Sequence, residues 1–129
     1  MINEPLLGFV NNNKEFFREM VQNKKLVVWG AGNEFRYALD TYFSKKEVAI
    51  IVDSNPKIWN TVVHGLKIMP PGVLKDEKSE DIVVLITTSH FFDVESQLIA
   101  LGIKNYFTSI LFLDRVIDNP YTGIVNIQC

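Results

Sequence analysis

The stretch from residue 25 to residue 53 constrains this chain more tightly than any other. Leu26–Trp29 is a short apolar run that stops at Gly30-Ala31-Gly32. Phe35, Ala38, Leu39, Tyr42 and Phe43 then recur at the spacing of one helical face, which predicts an amphipathic helix over 35–43. Val48–Val52 is a second apolar run, closed by the turn formers Asp53-Ser54-Asn55-Pro56. A buried strand, a glycine turn, a helix and a second buried strand ending in an acid make a β-α-β unit.

The rest of the chain extends the same alternation. Ile82–Ile86 is five consecutive apolar residues and reads as a buried strand. Thr87-Thr88-Ser89 offers an N-cap, with Ser89 favoured for it. Phe91, Val94, Leu98 and Leu101 form a helical stripe that Gly102 can stop. Asn105–Thr108 reads as a fourth short strand, and Ser109–Ile117 as a further helix. Between them, Val62–Met69 holds a short strand around Gly65, Pro70-Pro71 opens a short helix toward Leu74, and Lys75–Asp81 is a charged surface connection. Ahead of the unit, Phe16, Phe17, Met20 and Val21 share one helical face with Asn13 placed to cap it.

Strands that alternate with helices need crossovers over the sheet faces, and continuous apolar strands are those covered on both sides. The expectation is a three-layer Rossmann-like α/β domain with a mostly parallel sheet and helices on both faces. The 129 residues are expected to form one such domain. Residues 1–24 would be an N-terminal helical extension, 25–108 the nucleotide-binding core, and 109–129 a C-terminal helix and tail.

Gly30 and Gly32 are the first two glycines of the pattern G-x-G-x-x-G. The first permits a tight turn off the strand. The second lets backbone N–H groups of Ala31, Gly32, Asn33 and Glu34 approach a phosphate at a helix N-terminus. Asp53 follows Gly32 at the end of the next strand, where a carboxylate accepts hydrogen bonds from ribose hydroxyls. Ser54 follows it with no arginine nearby, which suits NAD better than NADP. Phe35 stands where the third glycine would let the helix pack closely, so the helix is expected to sit farther out. The alternative is a structural turn in a domain that has lost its ligand.

Thr88 and Ser89 fall on the same carboxyl edge and could donate to a phosphate or sugar, and His90 is the one candidate acid/base. Set against these roles, Ser89 can simply cap its helix and His90 can point to solvent. His64 reads as an exposed loop residue. Trp59 could stack on a base, although packing is the commoner use of such a ring. No histidine or cysteine spacing of a metal site occurs, and no nucleophile elbow is present.

A formal net charge of −2, with 22% charged residues, leaves no basic surplus for neutralising nucleic-acid phosphates. The single cysteine, Cys129, allows no internal disulfide and suits a cytoplasmic setting. No secretory signal is apparent, and no apolar run nears the ~20 residues that span a bilayer. Phe91-Phe92 and the run Phe107, Ile110, Leu111, Phe112, Leu113 are more apolar than one small domain needs, which points to a homo-oligomer or to docking on a partner.

Three segments together carry a resemblance: Leu26–Gly32, Ile51–Pro56 and Val63–Pro70, with Gln97-Leu98 and Leu101-Gly102-Ile103 beyond them. They resemble the small Rossmann domain of bacterial surface-polysaccharide and sugar-nucleotide proteins, as found in sugar-nucleotide acyltransferases, epimerases and dehydratases, and related to CoA-binding domains. The resemblance spans about Lys25 to Phe107. It implies that Gly30, Gly32 and Asp53 contact a nucleotide or nucleotide-sugar, that Thr88-Ser89 lines the pocket, and that a glycan-biosynthesis enzyme is a partner.

The leading expectation is a nucleotide- or nucleotide-sugar-binding module without its own active site. A small NAD-dependent oxidoreductase using His90 is the enzymatic alternative, although such enzymes usually need a further substrate domain. S-adenosylmethionine or CoA would also suit the turn and Asp53, but Trp29 stands where a methyltransferase would carry an acid.

Overall fold

The computed structural model describes residues 14–112. The expected cap Asn13, the distal part of the helix expected over Ser109–Ile117, and the tail from Asp118 lie outside them. Within the described residues, a helix α1 (residues 14–23) precedes strand β1 (Lys25–Trp29) and helix α2 (Asn33–Ala38). Then come β2 (Val48–Val52), β3 (Val62–Val63), β4 (Leu66–Met69), β5 (Ile82–Ile86), α3 (Phe91–Ala100) and β6 (Tyr106–Thr108). The six strands form one sheet in the order β3-β4-β2-β1-β5-β6, parallel except for the β3–β4 pair. This is the Rossmann-like α/β architecture.

Side chains on a strand alternate between faces, so each central strand feeds two cores. Leu26 and Val28 of β1 join Phe17, Phe35, Ala38, Tyr42, Phe43 and Phe107 on the face covered by α1 and α2. Val27 and Trp29 join Val84, Ile86, Val94 and Leu98 on the α3 face. β1 lies between β2 and β5, and all five residues of β5 are buried. The ring of Phe17 packs edge-on against Phe107 at 5.6 Å, tying α1 to β6.

Three elements differ from the sequence expectation. The helix expected over 35–43 ends at Ala38, because Leu39 turns extended and Asp40 takes a left-handed φ of 67°. Thr41 N–H and Tyr42 N–H both donate to the Ala38 carbonyl, closing a tight turn that returns Tyr42 and Phe43 to the same core. The spacing recorded which residues are buried, and burial was achieved by helix and turn together. The single strand expected around Gly65 is a hairpin: His64 (φ 49°) and Gly65 (φ 80°) are its two turn residues, and positive φ at both positions suits the twist of the pair. Ser109–Leu111, the described start of the helix expected over 109–117, is a 3₁₀ turn.

An ion pair holds the turn after α2 to α1. Both guanidinium arms of Arg18 reach Glu47, at 2.9 and 2.8 Å, and Arg18 also donates to the Tyr42 carbonyl. The Arg18 hydrogen bond holds the Glu47 carboxyl below the usual carboxylate range, and the Ser44 N–H adds to it. A depressed carboxylate contributes stability above its unfolded pKa of about 4.3 and loses that contribution as pH falls through its folded value. Because the pair is partly exposed, Glu47→Gln is expected to cost only ~1 kcal/mol at pH 7. Urea unfolding at pH 7 and near pH 3 would check this, the wild-type advantage closing at the lower pH.

Candidate functional site

The carboxyl ends of β1, β2 and β5 meet where the chain runs from β1 to β2 on one side and reaches β5 on the other. Such a switch point in a parallel sheet leaves a crevice, and here it is a cleft of about 700 Å³. Its walls are Trp29, Gly30, Asp53, Ser54, Asn55, Thr88, His90, Asp93, Val94 and Gln97.

The floor is built by backbone contact between the ends of β1 and β5. Thr87 N–H donates to the Trp29 carbonyl at 2.9 Å, and the Thr87 hydroxyl donates to the Gly30 carbonyl at 2.6 Å. Gly30 is buried with a φ of 123° and a Cβ there would lie 2.7 Å from the Thr87 carbonyl oxygen. Glycine is therefore required at this point for reasons internal to the fold.

Asp53 is fixed from two sides. Its Oδ2 accepts from Ala31 N–H at 2.9 Å, and its Oδ1 accepts from Asn55 N–H at 2.8 Å. The first bond ties the glycine turn to the end of β2; the second shapes the turn that follows. Each oxygen keeps a further lone pair for a ligand. Above them, the Trp29 indole N–H donates to Ser54 Oγ at 3.1 Å, and the Trp59 indole N–H donates to the Asp53 carbonyl at 2.6 Å. Trp59 is half-buried against the core, so its ring serves packing.

Of the residues expected to bind, Gly30, Asp53, Ser54 and Thr88 stand together on the cleft wall. Ala31, Gly32, Asn33, Glu34 and Ser89 are not among the lining residues, although Ala31 reaches the cleft through Asp53. Ser89 does not cap α3: the Thr88 hydroxyl accepts from His90 N–H at 3.2 Å, and His90 is the N-cap residue without a side-chain cap bond. His90 lines the cleft and is exposed. His64 is exposed and lies beside Phe35, with ring centroids 6.0 Å apart.

Sequence reasoning missed Trp29 and Asn55 and, on α3, Asp93, Val94 and Gln97. The signal for the α3 residues was the stripe Phe91, Val94, Leu98 itself, since a helix that buries Val94 must turn Asp93 and Gln97 toward its flank. Among the described residues no group of acids, histidines and cysteines could hold a metal ion, and no helix is long and apolar enough to cross a membrane.

The family model described as C2185-like, N-terminal, matches residues 22–108. The chain belongs to this family. No curated protein matches this C2185-like chain. Among solved structures it is similar to the Rex-family repressor RSP, at 16% identity and a TM-score of 0.49, over 68% of this chain and 46% of that one. RSP in complex with β-NADH gives 17% identity and a TM-score of 0.48, over 67% and 45%. The C2185-like chain thus spans under half the length of the structures it resembles.

Proposed function

We propose that this C2185-like domain is a binding module for a nucleoside-containing ligand held in the cleft between the ends of β1, β2 and β5. The observation that carries the reading is Asp53, a carboxylate fixed by two backbone N–H bonds at the carboxyl end of β2 and facing the cleft. A fixed acceptor at that place fits a ribose diol. Gly30, Ser54, Asn55 and Thr88 supply backbone and hydroxyl groups around it, and Trp29 and Val94 supply apolar wall.

Nucleotide-sugar, NAD, CoA and S-adenosylmethionine are the ligands to compare. The sugar-nucleotide setting and a glycan-biosynthesis partner rest on the three-segment resemblance, and a cytoplasmic setting on the single cysteine. Phe92, 71% exposed, and Ile99 stand on the outer side of α3 and support an oligomer or docking contact. The enzymatic alternative rests on His90, which lines the cleft beside Asp93; turnover lost in His90→Ala with binding retained would favour it.

Thermal shift with each ligand tests the binding reading, since saturation at about 100 times Kd stabilises the native state by ~2.7 kcal/mol. Gln97→Trp supplies the control. Gln97 is an exposed α3 residue on the cleft wall, so an indole there fills the cleft while the unliganded midpoint stays within ~0.5 kcal/mol of wild type. The expected result is a ligand-induced shift in wild type and none in Gln97→Trp. A shift of equal size in both would place the ligand elsewhere.

A further inference from the structure

The charge around the cleft narrows the ligand class; this step rests on the proposed binding of a nucleoside there. Three observations converge. First, among the described residues the wall carries two carboxylates, Asp53 and Asp93, and no lysine or arginine, the His90 imidazole being the one basic side chain there. Second, two backbone donors of the glycine turn are already used, Gly30 N–H by the Val52 carbonyl at 2.8 Å and Ala31 N–H by Asp53 Oδ2, and Gly32, Asn33 and Glu34 do not line the wall. Third, neither helix start favours an anion, each carrying an acid in its first turn, Glu34 in α2 and Asp93 in α3. α2 also has only six residues, too few to sum to a strong terminal dipole.

We infer that the cleft selects a nucleoside whose 5′ substituent is neutral or cationic and discriminates against nucleoside diphosphates. Asp53 takes the ribose, while Asp93, at the start of α3 on the same wall, sets the sign of the charge that the 5′ substituent can bring. A sulfonium nucleoside fits this charge pattern; a dinucleotide or nucleotide-sugar places its diphosphate against it. Like charges brought into one crevice repel, and salt weakens that repulsion where solvent reaches.

Calorimetric titration of the full chain decides it with charge-graded pairs: adenosine against ADP, uridine against UDP, and S-adenosylmethionine against S-adenosylhomocysteine. The expected order is nucleoside tighter than its diphosphate and sulfonium tighter than thioether, each by about fivefold at low salt, with both gaps shrinking as salt is added. Asp93→Asn is expected to tighten the diphosphates about fivefold relative to their nucleosides. ADP or UDP binding wild type more tightly than its nucleoside overturns this inference and leaves the binding reading intact, as does an Asp93→Asn variant with diphosphate affinity unaltered relative to the nucleosides. Failure of every compound to bind overturns both.

Discussion

Gly30→Ala is expected to lower the melting midpoint by about 15 °C or more. Two costs combine. The φ of 123° lies where L residues are strained, which costs ~1–3 kcal/mol. The added Cβ also stands 2.7 Å from the Thr87 carbonyl oxygen and 2.9 Å from its hydroxyl, and overpacking of this kind costs ~1–3 kcal/mol. The hydroxyl could be removed by Thr87→Ala, but the carbonyl belongs to the backbone at the end of β5. The double variant should therefore recover little. Gly32→Ala is the matched control: its φ is −95° and nothing lies within 4 Å of a Cβ there, so its midpoint should stay within ~0.5 kcal/mol of wild type. Differential scanning calorimetry on the three variants checks this. A Gly30→Ala midpoint near that of wild type would mean that the ends of β1 and β5 part without cost, and the cleft floor would not be the rigid contact described.

This pair of glycines also shows what the sequence could and could not reveal. Gly30 and Gly32 open one pattern, in which the first reads as the tight turn off the strand and the second as the approach point for a phosphate. Only the position of Thr87, 57 residues on, separates a glycine that the fold requires from one that it merely tolerates. The strands were legible because β5, β1 after Lys25 and β2 apart from Ala49 and Ile50 are buried, and so they appear as apolar runs. The length of α2 was not, since the 3.6-residue spacing reports burial, and Asp40 lets the chain leave the helix while Tyr42 and Phe43 remain inside. Of the cleft wall, Gly30, Asp53, Ser54 and Thr88 were legible because strand ends in a parallel sheet share one edge. Asp93 and Gln97 were not, because their approach depends on how α3 docks through Val94 and Leu98. The bond from Ala31 N–H to Asp53, which changes what the turn can offer a ligand, joins two positions that were read as independent contacts.

Phe35→Gly supplies the glycine missing from the dinucleotide pattern, and it is expected to unfold the domain or nearly so. If the turn were an ordinary dinucleotide grip spoiled by one bulky residue, the substitution would let α2 approach β1 and improve binding. The structure gives Phe35 another role. It is 1% exposed, lies 6.1 Å from Phe43 and 6.0 Å from His64 between ring centroids, and belongs to the core under α1 and α2. Emptying such a site costs about 3–5 kcal/mol for the lost ring and ~1 kcal/mol more for glycine inside a helix. Domains of this size hold only ~5–15 kcal/mol in total, so most of that reserve would be spent. Phe35→Leu keeps much of the volume and should lose about 1 kcal/mol, which separates loss of packing from any effect of altering the turn. Urea denaturation measures both. A Phe35→Gly protein with an unchanged midpoint and tighter NAD binding would restore the dinucleotide reading. The expected collapse instead identifies the third position of the pattern as a core position, where the ring stabilises the packing of α2.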